Sequence, residues 1–189
     1  EQLYFWLSLY SGIVSSGREA IQREIAARKM PIDTRRKFRL IVTKITDYER
    51  PLEDIGNDLF FFLLETIHSS LICRTEENES VVHRVGETGL WFMTTVPDAP
   101  EEELLARCEQ VTAACAERAR VKATCCLGCA CAIEDLPEKH HQLHRVIQRS
   151  AAFYGQAFLE SGASGVSSGE PVILDLERLE KWLIDRDKM

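Results

Sequence analysis

Val81-Val82-His83-Arg84-Val85-Gly86-Glu87-Thr88-Gly89-Leu90-Trp91-Phe92-Met93-Thr94-Thr95-Val96 sets the architecture of this chain. Two runs of β-branched and aromatic residues flank a short Gly-Glu-Thr-Gly turn. Glycines supply the turn dihedrals and the flanks carry strand propensity, so the stretch predicts a β-hairpin. Helical patterns lie on both sides of it, which places the hairpin in an α+β domain.

Working upstream, Pro51 opens a predicted helix over 51–72, with Leu52, Ile55, Leu59, Phe62, Leu63 and Ile67 at helical spacing. A polar loop over 75–80 joins it to the hairpin. Before it, Phe38 to Thr46 reads as a strand whose Leu-Ile-Val centre predicts burial on both faces. Residues 17–29 read as a helix capped by Ser15-Ser16-Gly17, and residues 2–11 as a very apolar helix stopped at Ser11-Gly12.

Downstream, Pro97 to Pro100 punctuates the chain and starts a helix over 100–118, with Glu101, Glu102 and Glu103 at its positive end. Residues 120–132 read as a strand of small side chains. A helix follows over 134–155. Residues 161–170 form a Gly/Ser-rich flexible stretch, and an amphipathic segment over 175–185 carries Leu176, Leu179, Trp182 and Leu183. The core order is strand, helix, hairpin, helix, strand, helix. It predicts a ferredoxin-like sheet with helices on one face, extra N-terminal helices and a C-terminal helical tail.

The net charge is −7, a poor match for a phosphate backbone, so this segment is not expected to grip nucleic acid. No apolar run reaches the roughly 18 residues that a membrane-spanning helix needs. The N-terminus has no basic leader or cleavage site, which predicts no secretory signal. The lack of an initiator Met reads as either a piece of a longer protein or a processed chain. Seven cysteines, two adjacent and four within seven residues, read as reduced thiols of a cytoplasmic protein.

The element order and the hairpin turn resemble the GGDEF domain of diguanylate cyclases and its degenerate relatives, a nucleotidyl-cyclase-like fold. That family's motif is similar to Arg84-Val85-Gly86-Glu87-Thr88-Gly89-Leu90, where the arginine and one glycine fit. The two acidic positions fall on Thr88 and Gly89. The family's metal-holding Asp-x-Asp at the end of the first strand matches Lys44-Ile45-Thr46, beside Asp47. Mg²⁺ demands hard anionic oxygens, and nucleotidyl transfer needs the metal to neutralise phosphate charge. The resemblance therefore implies a scaffold without catalysis: no catalytic residues, no cofactor and no metal.

Over nearly its whole length the chain also resembles the central domain of bacterial AraC-type response regulators. Phe5-Trp6-Leu7-Ser8-Leu9-Tyr10-Ser11-Gly12, Ile21-Gln22-Arg23-Glu24, Tyr48-Glu49-Arg50-Pro51-Leu52, the small-residue stretch from Cys125 to Leu136, and Leu179-Glu180-Lys181-Trp182-Leu183 carry that likeness. It implies a helical linker over 1–30, a degenerate GGDEF-like domain over 31–160, and a flexible stretch with a linker helix over 161–189. The expected role is signal relay in a two-component transcriptional regulator, by dimerisation or by binding a small-molecule effector. The expected partners are a second copy and the receiver and helix-turn-helix domains of the parent protein.

Phe5, Trp6, Leu9 and Tyr10 are too apolar to lie bare in water. They either fold back on the core or meet a partner. Cys125, Cys126, Cys129 and Cys131 with His140, His141 and His144 invite a zinc or redox alternative. Positions 125 and 131 on one strand would lie roughly 20 Å apart, too far for one ion, so cysteine is expected as a small buried hydrophobe. His140 and His144 share a helix face and are expected on an exposed polar surface. Asp47 and Glu87 are expected as solvated loop residues. An active purine nucleotide cyclase is the enzymatic alternative.

Overall fold

In the computed structural model, residues 2–14, 17–73, 81–85 and 89–164 are described. The turn Gly86-Glu87-Thr88, the loop over 75–80, the caps Ser15 and Ser16, and the C-terminal stretch from 165 onward lie outside them. Helices α1 (Gln2–Tyr10) and α2 (Arg18–Ala27) precede strand β1 (Phe38–Thr46), followed by helices α3 (Glu49–Ile55) and α4 (Asn57–Leu71). The hairpin strands are β2 (Val81–Val85) and β3 (Leu90–Pro97). Helix α5 (Glu101–Ala114), strand β4 (Lys122–Leu127), helix α6 (Leu136–Arg149), strand β5 (Ala157–Leu159) and helix α7 (Glu160–Ser164) complete the order.

Among the described residues the strands form one sheet in the order β2-β3-β1-β4-β5. β1 is antiparallel to both β3 and β4, and β5 adds in parallel at the β4 edge. The first four strands have the ferredoxin-like order, so the α+β class stands. β1 is central, as its two-faced apolar run requires.

Period-two alternation sorts the core. Ile41 and Ile45 of β1, Leu90, Phe92 and Val96 of β3, and Ala123, Cys125 and Leu127 of β4 face one way. They meet Phe60, Leu64 and Ile67 of α4 and Leu104, Cys108 and Val111 of α5. Leu40 and Val42, Trp91 and Met93, Cys126 and Phe158 face the other way. There they meet Phe5, Trp6 and Leu9 of α1, Ile21 and Ile25 of α2, and Leu136, Leu143 and Ile147 of α6. Helices on one face describe only the crossover helices α4 and α5. The second face is just as apolar, and the N-terminal helices and α6 cover it.

Four expected elements differ. The helix over 51–72 is two helices, broken at Gly56, whose φ of 87° is open to glycine and costly for other residues. α5 ends in a π-helical turn over Cys115–Ala119, closed by Arg120 in the left-handed region. The strand over 120–132 stops at Leu127. The Gly128 N–H still donates to the Leu40 carbonyl, then the chain loops out and rejoins β1 where Cys131 pairs with Phe38. The helix over 134–155 ends at Arg149, and the parallel strand β5 follows it unannounced.

Candidate functional site

The C-terminal end of β1 lies beside the hairpin strand β3 and below the end of α6. Lys44 stands opposite Trp91 on β3 and Thr124 on β4, and Thr46 stands opposite Lys122. Both even-numbered residues are on the α6 side of the sheet.

Lys44 is half-buried, with its ammonium 5.5 Å from the centre of the Trp91 ring. A cation over an indole face recovers part of its lost hydration electrostatically. Thr46 Oγ1 donates to the Tyr154 hydroxyl (3.0 Å), which in turn donates to Asp47 Oδ2 (3.0 Å). Lys122 Nζ lies 3.5 Å from the same Asp47 oxygen and 4.9 Å from the Tyr154 ring centre. Asp47 is a surface residue as expected, but its carboxylate is already engaged by a cation and a phenol. Its φ of 59° shows a tight exit from the strand.

These groups do not fit a magnesium ion. A magnesium seat wants carboxylates converging at about 2 Å. Here an ammonium and a hydroxyl occupy the two positions that resemble the family's metal pair. Among the described residues, no group of three or more His, Cys, Asp or Glu side chains could hold a metal. Glu87 and Thr88 lie outside those residues.

The four aromatic-cluster residues proposed as partner contacts face inward. Phe5, Trp6 and Leu9 are wholly buried and Tyr10 nearly so. Trp6 meets the Phe38 ring edge-on at 5.9 Å, and the Tyr10 hydroxyl bonds Thr95 Oγ1 at 2.9 Å. Burial of each such side chain is worth roughly 1.5–3 kcal/mol over exposure, and the sheet face offers that burial within the chain. Of the two expected fates, these four take the first and fold back on the core. The exposed side of α1 carries Leu3, Tyr4 and Leu7 instead.

His140 and His144 are half-buried, against the expected exposed polar face. The His144 ring lies 4.5 Å from that of Trp91, and His140 meets His144 edge-on at 4.6 Å and Tyr10 at 5.6 Å. Burial, and then His141, holds the His144 pKa below its usual value. The sequence did carry the signal, since 136, 140, 143, 144 and 147 form one helical stripe.

Cys108, Cys115, Cys125 and Cys126 are buried and all seven cysteines are free thiols. Burial pushes the Cys115 and Cys125 thiols up to about 12 and the half-buried Cys131 up to about 11. Thiols so shifted are poor nucleophiles and poor metal ligands at neutral pH.

Among the described residues no helix is long and apolar enough to cross a membrane. No family model matches the chain. No curated protein matches it either. Among solved structures, the chain is similar to the active GGEEF domain of a diguanylate cyclase from Vibrio cholerae. That likeness has a TM-score of 0.47 and 15% identity, and it covers 81% of this chain and 94% of that one.

Proposed function

We propose that this chain is a non-catalytic signal-relay domain that keeps a GGDEF-like scaffold without its chemistry. Its setting is a bacterial transcriptional regulator of the AraC response-regulator type, in the cytoplasm. The observation that carries the reading is the pair Lys44 and Thr46 at the end of β1. Lys44 is a cation held against Trp91 where a metal-binding acid would be needed, and Thr46 is hydrogen-bonded into the Tyr154–Asp47 chain.

The domain passes state between a receiver and a helix-turn-helix region of the same parent protein. It does so by pairing with a second copy or by taking up a small effector. The exposed apolar side chains Leu3, Tyr4 and Leu7 on α1 support the first route. The net charge of −7 supports contact with protein partners over direct contact with nucleic acid.

Calorimetric titration of the purified chain with GTP in the presence of Mg²⁺ tests this. The expected result is no Mg²⁺-dependent heat of binding. A saturable, Mg²⁺-dependent heat restores the cyclase reading.

A further inference from the structure

The space between α6, β1 and β4 contains chemistry that the scaffold role leaves unused. Lys44, Thr124, Ile147, Gln148, Ser150 and Tyr154 are among the residues that line a cavity of about 220 Å³ there. Lys44 is half-buried, and among the described residues no carboxylate lies in ion-pair contact with it. The nearest acid along the strand, Asp47, is held by Lys122 and Tyr154. A partly desolvated cation of this kind attracts an anion.

The other lining groups define which anion. Thr124 Oγ1 accepts a 2.8 Å bond from the Gly155 N–H, which leaves its own hydrogen to donate. Ser150 adds a hydroxyl, and Gln148 an amide. Ile147 and Ala151 give an apolar wall. The helix end that reaches this cavity is the C-terminus of α6, capped at Ser150. Its partial negative charge opposes a second anionic charge, which Lys44 alone would not balance. A phosphate dianion is therefore disfavoured. The volume is below the roughly 300–1,000 Å³ of drug-sized sites, which favours a small ligand over a nucleoside triphosphate.

We propose that this cavity binds a small organic monocarboxylate. The carboxylate meets the Lys44 ammonium and the Ser150 and Thr124 hydroxyls, and the apolar body lies against Ile147 and Ala151. The substitution that bars a metal thus gives the site the opposite preference. The proposal deepens the effector route of the relay reading and rests on it, because a metal-loaded seat would exclude the ligand.

The test is an NMR titration of the whole chain with butyrate and with benzoate, and with inorganic phosphate as comparator. Wild type, Lys44→Gln, Lys44→Arg and Ser150→Ala are compared. The expected result is saturable shifts of the Lys44, Thr124, Ser150 and Ala151 amides with at least one carboxylate. Lys44→Gln should weaken that binding roughly tenfold or more, as loss of a charged hydrogen bond does, and Lys44→Arg should retain most of it. Ser150→Ala, at the helix end, should weaken it less and keeps the test decisive if Lys44→Gln fails to fold. No saturable shifts with either carboxylate, equal affinity in Lys44→Gln, or tighter binding of phosphate overturns the proposal. These outcomes leave the GTP titration unaffected, so the two readings fail separately.

Discussion

Lys44 and Trp91 stand opposite one another across the β1–β3 pair, and the lysine ammonium lies 5.5 Å from the indole centre. The same indole meets the His144 ring at a tilt, with the ring centres 4.5 Å apart. A cation, an indole and an imidazole therefore fill the ground where a metal-binding carboxylate would have to project. Mg²⁺ should leave the melting temperature of the wild-type chain unchanged. In the Lys44→Asp/Thr46→Asp double variant, added Mg²⁺ should raise it, following the logarithmic dependence on ligand concentration. A wild-type melting temperature that climbs with Mg²⁺ counts against the account.

His68 on α4 is fully buried, stacked 4.6 Å from Phe92, with its Nδ1–H donating to the Leu64 carbonyl at 2.7 Å. Burial pulls its pKa down to about 4 from an ordinary value near 6.5. Below about pH 6.5 the unfolded chain takes up a proton that the folded chain refuses, so stability falls as pH drops from about 6.5 to about 4 and then levels. The loss from His68 is about 3 kcal/mol, and His144 adds to it with the same sign. Urea midpoints at about pH 7.5 and about pH 4.5 check this. His68→Phe, which keeps the ring stack and removes the titrating group, should shrink the difference.

Gly128, just after β4, sits in a tight place. A Cβ there would lie 2.9 Å from Leu143 Cδ1 and 3.0 Å from the Leu40 carbonyl oxygen. Gly128→Ala should destabilise by about 1–3 kcal/mol, because a backbone atom cannot step aside as a side-chain end can. Gly162→Ala, in open space on α7, should be close to neutral. Chemical denaturation of the two variants makes the comparison.

The thiols should react in order of exposure. Cys129 is the exposed one and should be labelled first by a disulfide reagent, with Cys73 and Cys131 slower. Even Cys129 should be slower than a free thiol, since burial and then Glu160 raise its pKa. Cys108, Cys115, Cys125 and Cys126 should react only on unfolding. Rapid labelling of Cys125 in native protein would revive a redox role.

β1 was legible to the residue, because nine residues with a doubly buried centre admit little else. The hairpin strands were legible for the same reason of composition. The α3–α4 break was not, since helical periodicity continues across Gly56 and only its positive φ marks the interruption. β5 is three residues long and pairs in parallel with a strand 32 positions earlier, a non-local contact that no local pattern announces. The fate of Phe5, Trp6, Leu9 and Tyr10 was undecided in sequence because apolarity demands burial without saying against what. The apolar second face of the sheet settles it. At the candidate site, Lys44 and Thr46 were readable by position. Tyr154, about 110 residues away and hydrogen-bonded to Thr46, was not, because its approach depends on how α6 ends.

The central claim is that the end of β1 supports no nucleotidyl transfer. Incubation of the purified chain with GTP and Mg²⁺, followed by chromatographic analysis for cyclic dinucleotide, tests it most directly. The account predicts unchanged GTP and no cyclic product. Sustained formation of cyclic dinucleotide that disappears in a Thr46→Ala variant would contradict it.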